Sequence, residues 1–354
     1  MRNFGSDKLK ALDAKFEAQK IAFGPIAFQA VRSMRDLGIL KMVEDSRKKG
    51  ILVDEIVKEL NISRYGVQVL LDAGISIGVV MQVKDRFRLT KTGYFILNDP
   101  LTRANMDFVQ DVNYLGFHNL DKSVLNGKPE GLKVFGKWKT VYESLASLPP
   151  KVQKSWFQFD HYYSDLVFPL VMPIIFSDKP KNLLDIGGNT GKFSIKAAQY
   201  NPDVHITILD LPGQLNVAYE KIEEANLSDR IDGFPIDLLN PKLPYPSGVD
   251  AIWMSQFLDC FAEEEISHLL SRAFDALIPG GILYINETYW DRQHYEASSY
   301  SLNMTSLYFT AIANGNSRMY HSEDMMRLVE KAGFKIIDDI DNLGVSHTVF
   351  KCQK

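Results

Sequence analysis

The pattern of apolar and polar positions changes character near residue 181. Before it, apolar residues recur mostly at helical spacing; after it, short apolar runs alternate with amphipathic stretches. In the first part, Leu52–Leu60 (LVDEIVKEL), the turn Asn61-Ile62-Ser63 and Arg64–Gly74 predict a helix-turn-helix. Val79–Val83 and Arg86–Thr90 predict two short strands around Lys84-Asp85, which completes a winged-helix order. The stretch 106–180 predicts mostly helix and is rich in aromatics, with Trp138, Tyr142, Trp156, Phe157, Phe159, His161, Tyr162 and Tyr163.

Beyond 181, Asn182–Ile186 predicts a first strand, Lys192–Tyr200 a helix and His205–Leu209 a second strand ending at Asp210. Leu215–Ala225 reads as helix and Ile231–Ile236 as a third strand ending at Asp237. Val249–Met254 reads as a fourth strand, Glu263–Leu277 as helix, Pro279-Gly280-Gly281 as a turn and Ile282–Glu287 as a fifth strand. A helix at Ser322–Ala332 and strands near Lys335–Asp339 and Ser346–Lys351 close the chain. Strands alternating with helices of this length predict an α/β fold, a Rossmann-like doubly wound sheet with an N-terminal all-α/winged-helix domain. The expected division is 1–105, 106–180 and 181–354.

Composition narrows the function classes. Of 354 residues, 45% are hydrophobic, enough for a sizeable core, and the net charge of −4 offers no electrostatic footprint for nucleic acid. The candidate recognition helix, RYGVQVLLDAG, has one arginine, an acid and many apolar residues, which suits packing. Two cysteines, Cys260 and Cys352, fit a reducing cytoplasm rather than a disulfide scaffold. The charged N-terminus has no signal-peptide pattern. The most apolar run, Leu166–Phe176, is too short to cross a membrane and carries two prolines.

The candidate chemistry gathers at strand ends, where open α/β sheets bind ligands. The first strand runs into Asp185-Ile186-Gly187-Gly188-Asn189-Thr190-Gly191, the second into Asp210 and the third into Asp237-Leu238. Glycines let the backbone turn tightly and approach a ligand. A carboxylate at Asp210 can accept both ribose hydroxyls. The G-x-G-x-x-G dinucleotide spacing is not met, and an acid before the loop suits a cationic ligand better than a pyrophosphate.

The segments LLDIGGNTG, TILDLPGQL, GVDAIWMSQFLDCF and FDALIPGGILYINE resemble successive motifs of the small-molecule, S-adenosylmethionine-dependent O-methyltransferases. That family includes plant phenolic, acetylserotonin and bacterial polyketide-tailoring enzymes. The resemblance covers nearly the whole chain. It implies a methyltransferase sheet, methyl transfer to a hydroxyl of an aromatic or polyketide-like metabolite, S-adenosylhomocysteine as product, no metal, and a homodimer built through the N-terminal helices. It carries donor-binding roles to Asp185, Gly187, Gly188, Asn189, Gly191, Asp210, Leu211, Asp237, Leu238, Ser255 and Gln256, with Glu287 as a catalytic position. It places the acceptor pocket among His118, Phe159, His161, Phe257, Met304 and Tyr308.

The chain departs from the family at the base. Leu258-Asp259-Cys260-Phe261 has Asp259 where the family has a catalytic His, and Met319 stands where it has a second Glu. An unperturbed Asp, pKa about 3.9, is a poor base for a phenol near 10. Asp259 with Glu287 can form an altered acid/base pair if burial raises them. Alternatively, proximity alone, worth roughly 7–11 kcal/mol, suffices, or the base is His118 or His161. Plainer roles stand beside these: Asp210 or Asp259 as a helix cap, Glu287 as a solvated strand-end acid, and Met304, Tyr308 and the Trp156–Tyr163 aromatics as core. C- or N-methylation remains an alternative, as does a cofactor-sensing DNA-binding regulator.

Overall fold

The computed structural model describes residues 7–354 apart from residue 165, and the side chain of residue 146 is also outside the description. The first six residues of the charged N-terminus therefore lie outside the described residues. The chain divides into two compact units, Arg2–Val109 and Gln110–Lys354.

In the first unit, α1 (Ala11–Ala22), α2 (Gly24–Asp36) and α3 (Ile39–Asp45) precede α4 (Val53–Leu60), α5 (Arg64–Ile77), the strands β1 (Val80–Val83) and β2 (Arg86–Leu89), α6 (Lys91–Asn98) and α7 (Pro100–Phe108). The Ser63 hydroxyl caps α5 by accepting the Gly66 N–H at 3.0 Å. α5 runs past the expected end at Gly74 and stops at Gly78, whose φ of 87° is left-handed. Val79 is not in β1: its N–H returns to the Gly74 carbonyl at 2.9 Å. β1 and β2 pair antiparallel around Lys84, so the winged-helix order holds. Met34, Ile39, Leu40, Ile56, Val67, Leu71 and Phe87 fill the core. α1 buries none of its residues, and Leu12, Phe16 and Ile21 stand exposed on it.

The second unit opens with α8 (Leu120–Asn126), α9 (Val141–Ser144), α10 (Pro150–Ser164) and α11 (Phe168–Phe176). A sheet follows, built from β3 (Asn182–Ile186), β4 (His205–Asp210), β5 (Ile231–Pro235), β6 (Val249–Ser255), β7 (Leu277–Glu287), β8 (Lys335–Leu343) and β9 (His347–Gln353). Its helices are α12 (Lys192–Tyr200), α13 (Pro212–Glu224), α14 (Glu263–Ala276), α15 (Glu296–Tyr308) and α16 (Ser322–Lys331). The strand order is β5-β4-β3-β6-β7-β9-β8, and β9 alone runs against its neighbours. Both faces are covered, so the central strands are apolar on both sides, as parallel sheets require. The order reverses between β3 and β6, and their carboxyl ends define the crevice.

Two expectations are corrected. Pro279-Gly280-Gly281 is not a turn before a strand but part of β7, where the register against β6 shifts between Val249 and Ala251 and Gly280 takes a φ of 80°. α13 starts at Pro212 rather than Leu215, because proline's fixed φ suits the first helical turn.

Candidate active site

The loop after β3 is tied to the end of β4. The Gly187 N–H donates to the Leu209 carbonyl at 2.9 Å, and Gly187 has a φ of 73°. A Cβ there would lie 2.4 Å from the Phe257 ring, so the glycine is needed for both conformation and contact. Asn189 also adopts a positive φ, 49°, and its N–H donates to Asp210 Oδ2 at 2.8 Å. Asp210 Oδ1 accepts the Leu211 N–H at 2.7 Å. The helix-cap role for Asp210 is therefore corrected: Leu211 is the N-cap of α13, and the Asp210 carboxylate joins two strand-end turns. Burial raises the Asp210 carboxyl above its usual range, against the pull of the Leu211 and Asn189 N–H groups.

Other expected donor contacts differ in placement. Asp185 is buried beneath the loop and accepts the Ser194 hydroxyl at 2.6 Å; burial pushes its carboxyl up to about 7. A Cβ on Gly188 would meet that carboxylate at 2.7 Å, so Asp185 braces the loop from below. Gly191 begins α12 with a φ of 72°. Leu211 and Asp237 are exposed, Leu238 is buried, and Asp237 Oδ1 accepts the Leu239 N–H at 3.0 Å. Ser255 Oγ accepts from Asn286 Nδ2 at 2.8 Å. Gln256, with a φ of 46°, donates its N–H to the Asn286 carbonyl at 2.9 Å, while its Oε1 is buried without a protein partner.

These residues fit the cationic, ribose-bearing donor that the resemblance implies. Each Asp210 oxygen takes one backbone N–H and keeps lone-pair capacity for a ribose hydroxyl. Gln256 adds a buried acceptor beside the switch point on strained backbone, which is where functional residues collect.

The turn after β6 is organised by Glu287. Its Oε1 accepts the N–H groups of Phe257 at 2.9 Å and Leu258 at 2.8 Å, and Oε2 has no hydrogen-bond partner. Glu287 is 1% exposed, which corrects its reading as a solvated acid. Burial, then the Asp259 charge, push its carboxyl well above the ordinary value. Asp259 is 5% exposed, and burial pushes it up to about 7, with Asp160 adding to the shift and the Cys260 contact opposing it. The Cys260 thiol donates to Asp259 Oδ1 at 3.5 Å. Nor is Asp259 a helix cap: the Ala262 N–H that opens α14 donates to Glu265 Oε2 at 2.8 Å. Met319 is buried with its sulfur 3.4 Å from the Thr288 hydroxyl, so that position brings no charge.

The expected pocket residues differ in burial. Phe257 is buried, with its ring 4.8 Å from Phe261. Tyr308 is buried, and its hydroxyl accepts the Trp156 Nε1–H at 2.7 Å. Phe159 packs on Tyr163 at 5.0 Å. His161 lines a cavity of about 490 Å³ along α10 with Lys154, Phe157, Gln158, Tyr162 and Leu166. His118 and Met304 are exposed. Sequence reasoning missed Ser194, Trp156 as a partner, and Tyr142, whose hydroxyl lies against Cys260. Only Ser194, in the first turn after the glycine loop, carried a local signal. No group of three His, Cys, Asp or Glu side chains arranged to hold a metal occurs among the described residues.

Comparison with known proteins agrees with this geometry. The family described as an O-methyltransferase domain matches residues 117–335, and a Dimerisation2-like domain matches residues 15–87. The chain thus belongs to the S-adenosylmethionine-dependent O-methyltransferase family and is a methyltransferase. The L-tyrosine C(3)-methyltransferase of Streptomyces lavendulae is 27% identical over 318 residues, 89% of this chain and 85% of that one. The 3-hydroxy-5-methyl-1-naphthoate 3-O-methyltransferase of Streptomyces sahachiroi is 26% identical over 71% of this chain and 72% of that one. The solved structure of the S-adenosylmethionine-dependent methyltransferase SibL superposes with a TM-score of 0.73 at 23% identity, covering 95% of this chain and 98% of that one.

Proposed function

We propose that this enzyme methylates a hydroxyl on a small aromatic acceptor, with Asp259 taking the hydroxyl proton. The observation that carries this reading is the buried Asp259, raised to about 7 beside Glu287. A carboxylate near 7 is half ionised at neutral pH and is a far better base than an ordinary Asp. When bound, S-adenosylmethionine supplies a methyl group on a sulfonium, activated for displacement. Asp210 and the glycine loop orient the donor, and the turn held by Glu287 presents Asp259. The acceptor oxygen would lose its proton to Asp259 and take the methyl carbon as the methyl–sulfur bond breaks, with the electron pair going to sulfur to leave neutral S-adenosylhomocysteine.

Incubation with donor carrying a ¹³C-methyl group and a panel of phenols tests this by NMR of the product. The expected product carries the labelled methyl on oxygen; no transfer to any phenol contradicts the reading. A second reading is C-methylation beside the hydroxyl, supported by the similarity to an L-tyrosine C(3)-methyltransferase over most of the chain. A phenolate is nucleophilic at oxygen and at the adjacent ring carbon, so one base serves both, and a carbon-bound label would select this reading.

We further propose a homodimer formed through the first unit, supported by the Dimerisation2-like match and the exposed apolar residues of α1. Two unpaired cysteines suit a cytoplasmic setting, and no described helix is long and apolar enough to cross a membrane. Arg64 on α5 is paired with Asp54 at 2.9 Å, which argues against DNA contact.

A further inference from the structure

Arg272, in α14, is a buried cation, with 8% of its surface exposed. Its guanidinium faces backbone carbonyls rather than a carboxylate. Nη1 donates to the Asn240 and Leu243 carbonyls, each at 3.1 Å, and Nη2 donates to the Leu238 carbonyl. The Tyr245 ring lies 4.5 Å from the guanidinium carbon and is itself buried.

The segment held in this way is Asp237–Pro246, DLLNPKLPYP. It has prolines at 241, 244 and 246, so it lacks three N–H donors and cannot build a backbone ladder. Two of the three carbonyls that Arg272 holds belong to residues directly preceding a proline, where the backbone is confined to extended conformations. The segment's own backbone bonds are short turns, Asn240 N–H to Asp237 O at 3.1 Å and Leu243 N–H to Asn240 O at 3.2 Å. One planar, multi-donor group reaching in from α14 does what a ladder would otherwise do, and a guanidinium is the side chain suited to it. The segment begins at Asp237-Leu238, just past the end of β5.

We propose that Arg272 is a positioning residue for the methyl donor, holding Leu238 and the proline-rich turn as the wall of the adenosine end of the site. The proposal rests on the donor-binding role that the resemblance carries to Asp237 and Leu238, read as holding the adenine of S-adenosylmethionine. Arg272 governs how tightly the adenosine end binds and leaves the chemical step alone, because the segment it holds contains none of the residues assigned to the acceptor.

The test is calorimetry with S-adenosylhomocysteine and with 5′-methylthioadenosine, which carries only the adenosine end, alongside kcat at saturating donor. Arg272→Met keeps the apolar stem and removes the donors. It is expected to weaken both ligands by the same factor, about tenfold or more, as for a lost hydrogen bond to a charged group. kcat at saturating donor should stay within about twofold. Arg272→Lys, which keeps one charged centre, should fall between Met and parent. Tyr245→Leu, a milder change should Arg272→Met not fold, should weaken both ligands a few-fold. Unchanged affinity in Arg272→Met, or a fall in kcat with affinity intact, overturns the role of Arg272. If Asp210→Ala also leaves affinity unchanged, the donor-site assignment falls together with it.

Discussion

The turn after β3 and the turn after β6 sit side by side at the switch point of one sheet and use the same device. In each, a carboxylate at a strand end accepts two backbone N–H groups: Asp210 holds Asn189 and Leu211, and Glu287 holds Phe257 and Leu258. They touch through the Phe257 ring against Gly187. The difference is solvation. Asp210 keeps some exposure and spare acceptor capacity, whereas Glu287 is sealed in beside an equally buried Asp259. Burial raises carboxyls at both turns, Asp185 and Asp259 each to about 7, but Asp185 is engaged by the Ser194 hydroxyl beneath the glycine loop, so the first arrangement suits ligand recognition and the second leaves Asp259 to move a proton.

The contrast can be broken at either turn. The largest effect is expected from Asp259→Asn: a fall in kcat of roughly 100- to 10,000-fold, the usual share of a general base, with S-adenosylhomocysteine affinity unchanged by calorimetry. Asp210→Ala should do the reverse, weakening S-adenosylhomocysteine roughly 100-fold through lost charge-assisted hydrogen bonds while kcat at saturating donor falls little. Glu287→Ala leaves two buried N–H groups unpaired and should cost about 1–3 kcal/mol in denaturant unfolding. Glu287→Gln keeps the accepting oxygen and should recover most of that loss. Gly187→Ala forces an L-residue into left-handed backbone against the Phe257 ring; roughly 1–2 kcal/mol of destabilisation is expected, with both donor affinity and kcat reduced because the two turns share this contact.

The donor half was legible because its signals are local: the period switches from helix to strand, and glycines and acids fall at the ends of the first three strands. The winged-helix order was legible for the same reason. The acceptor half was not, because its chemistry depends on burial. Leu258-Asp259-Cys260-Phe261 reads equally well as a cap before α14, and only burial, with Asp160 nearby, makes Asp259 a raised acid. Arg272 looks like a helix-surface residue until the proline-rich segment some thirty positions earlier folds over it. His118 and His161 stand out by residue type, and the structure shows the first exposed and the second lining a cavity along α10.

The most direct test of the account is the pH dependence of kcat/KM for parent and Asp259→Asn on one accepted phenol. With its carboxyl raised to about 7, Asp259 is protonated below that pH and becomes a base only above it. The parent's kcat/KM should therefore climb as pH rises towards 7 and level off beyond, while Asp259→Asn stays low and lacks that step. The same step in Asp259→Asn, at parental rates, would show that another group takes the proton.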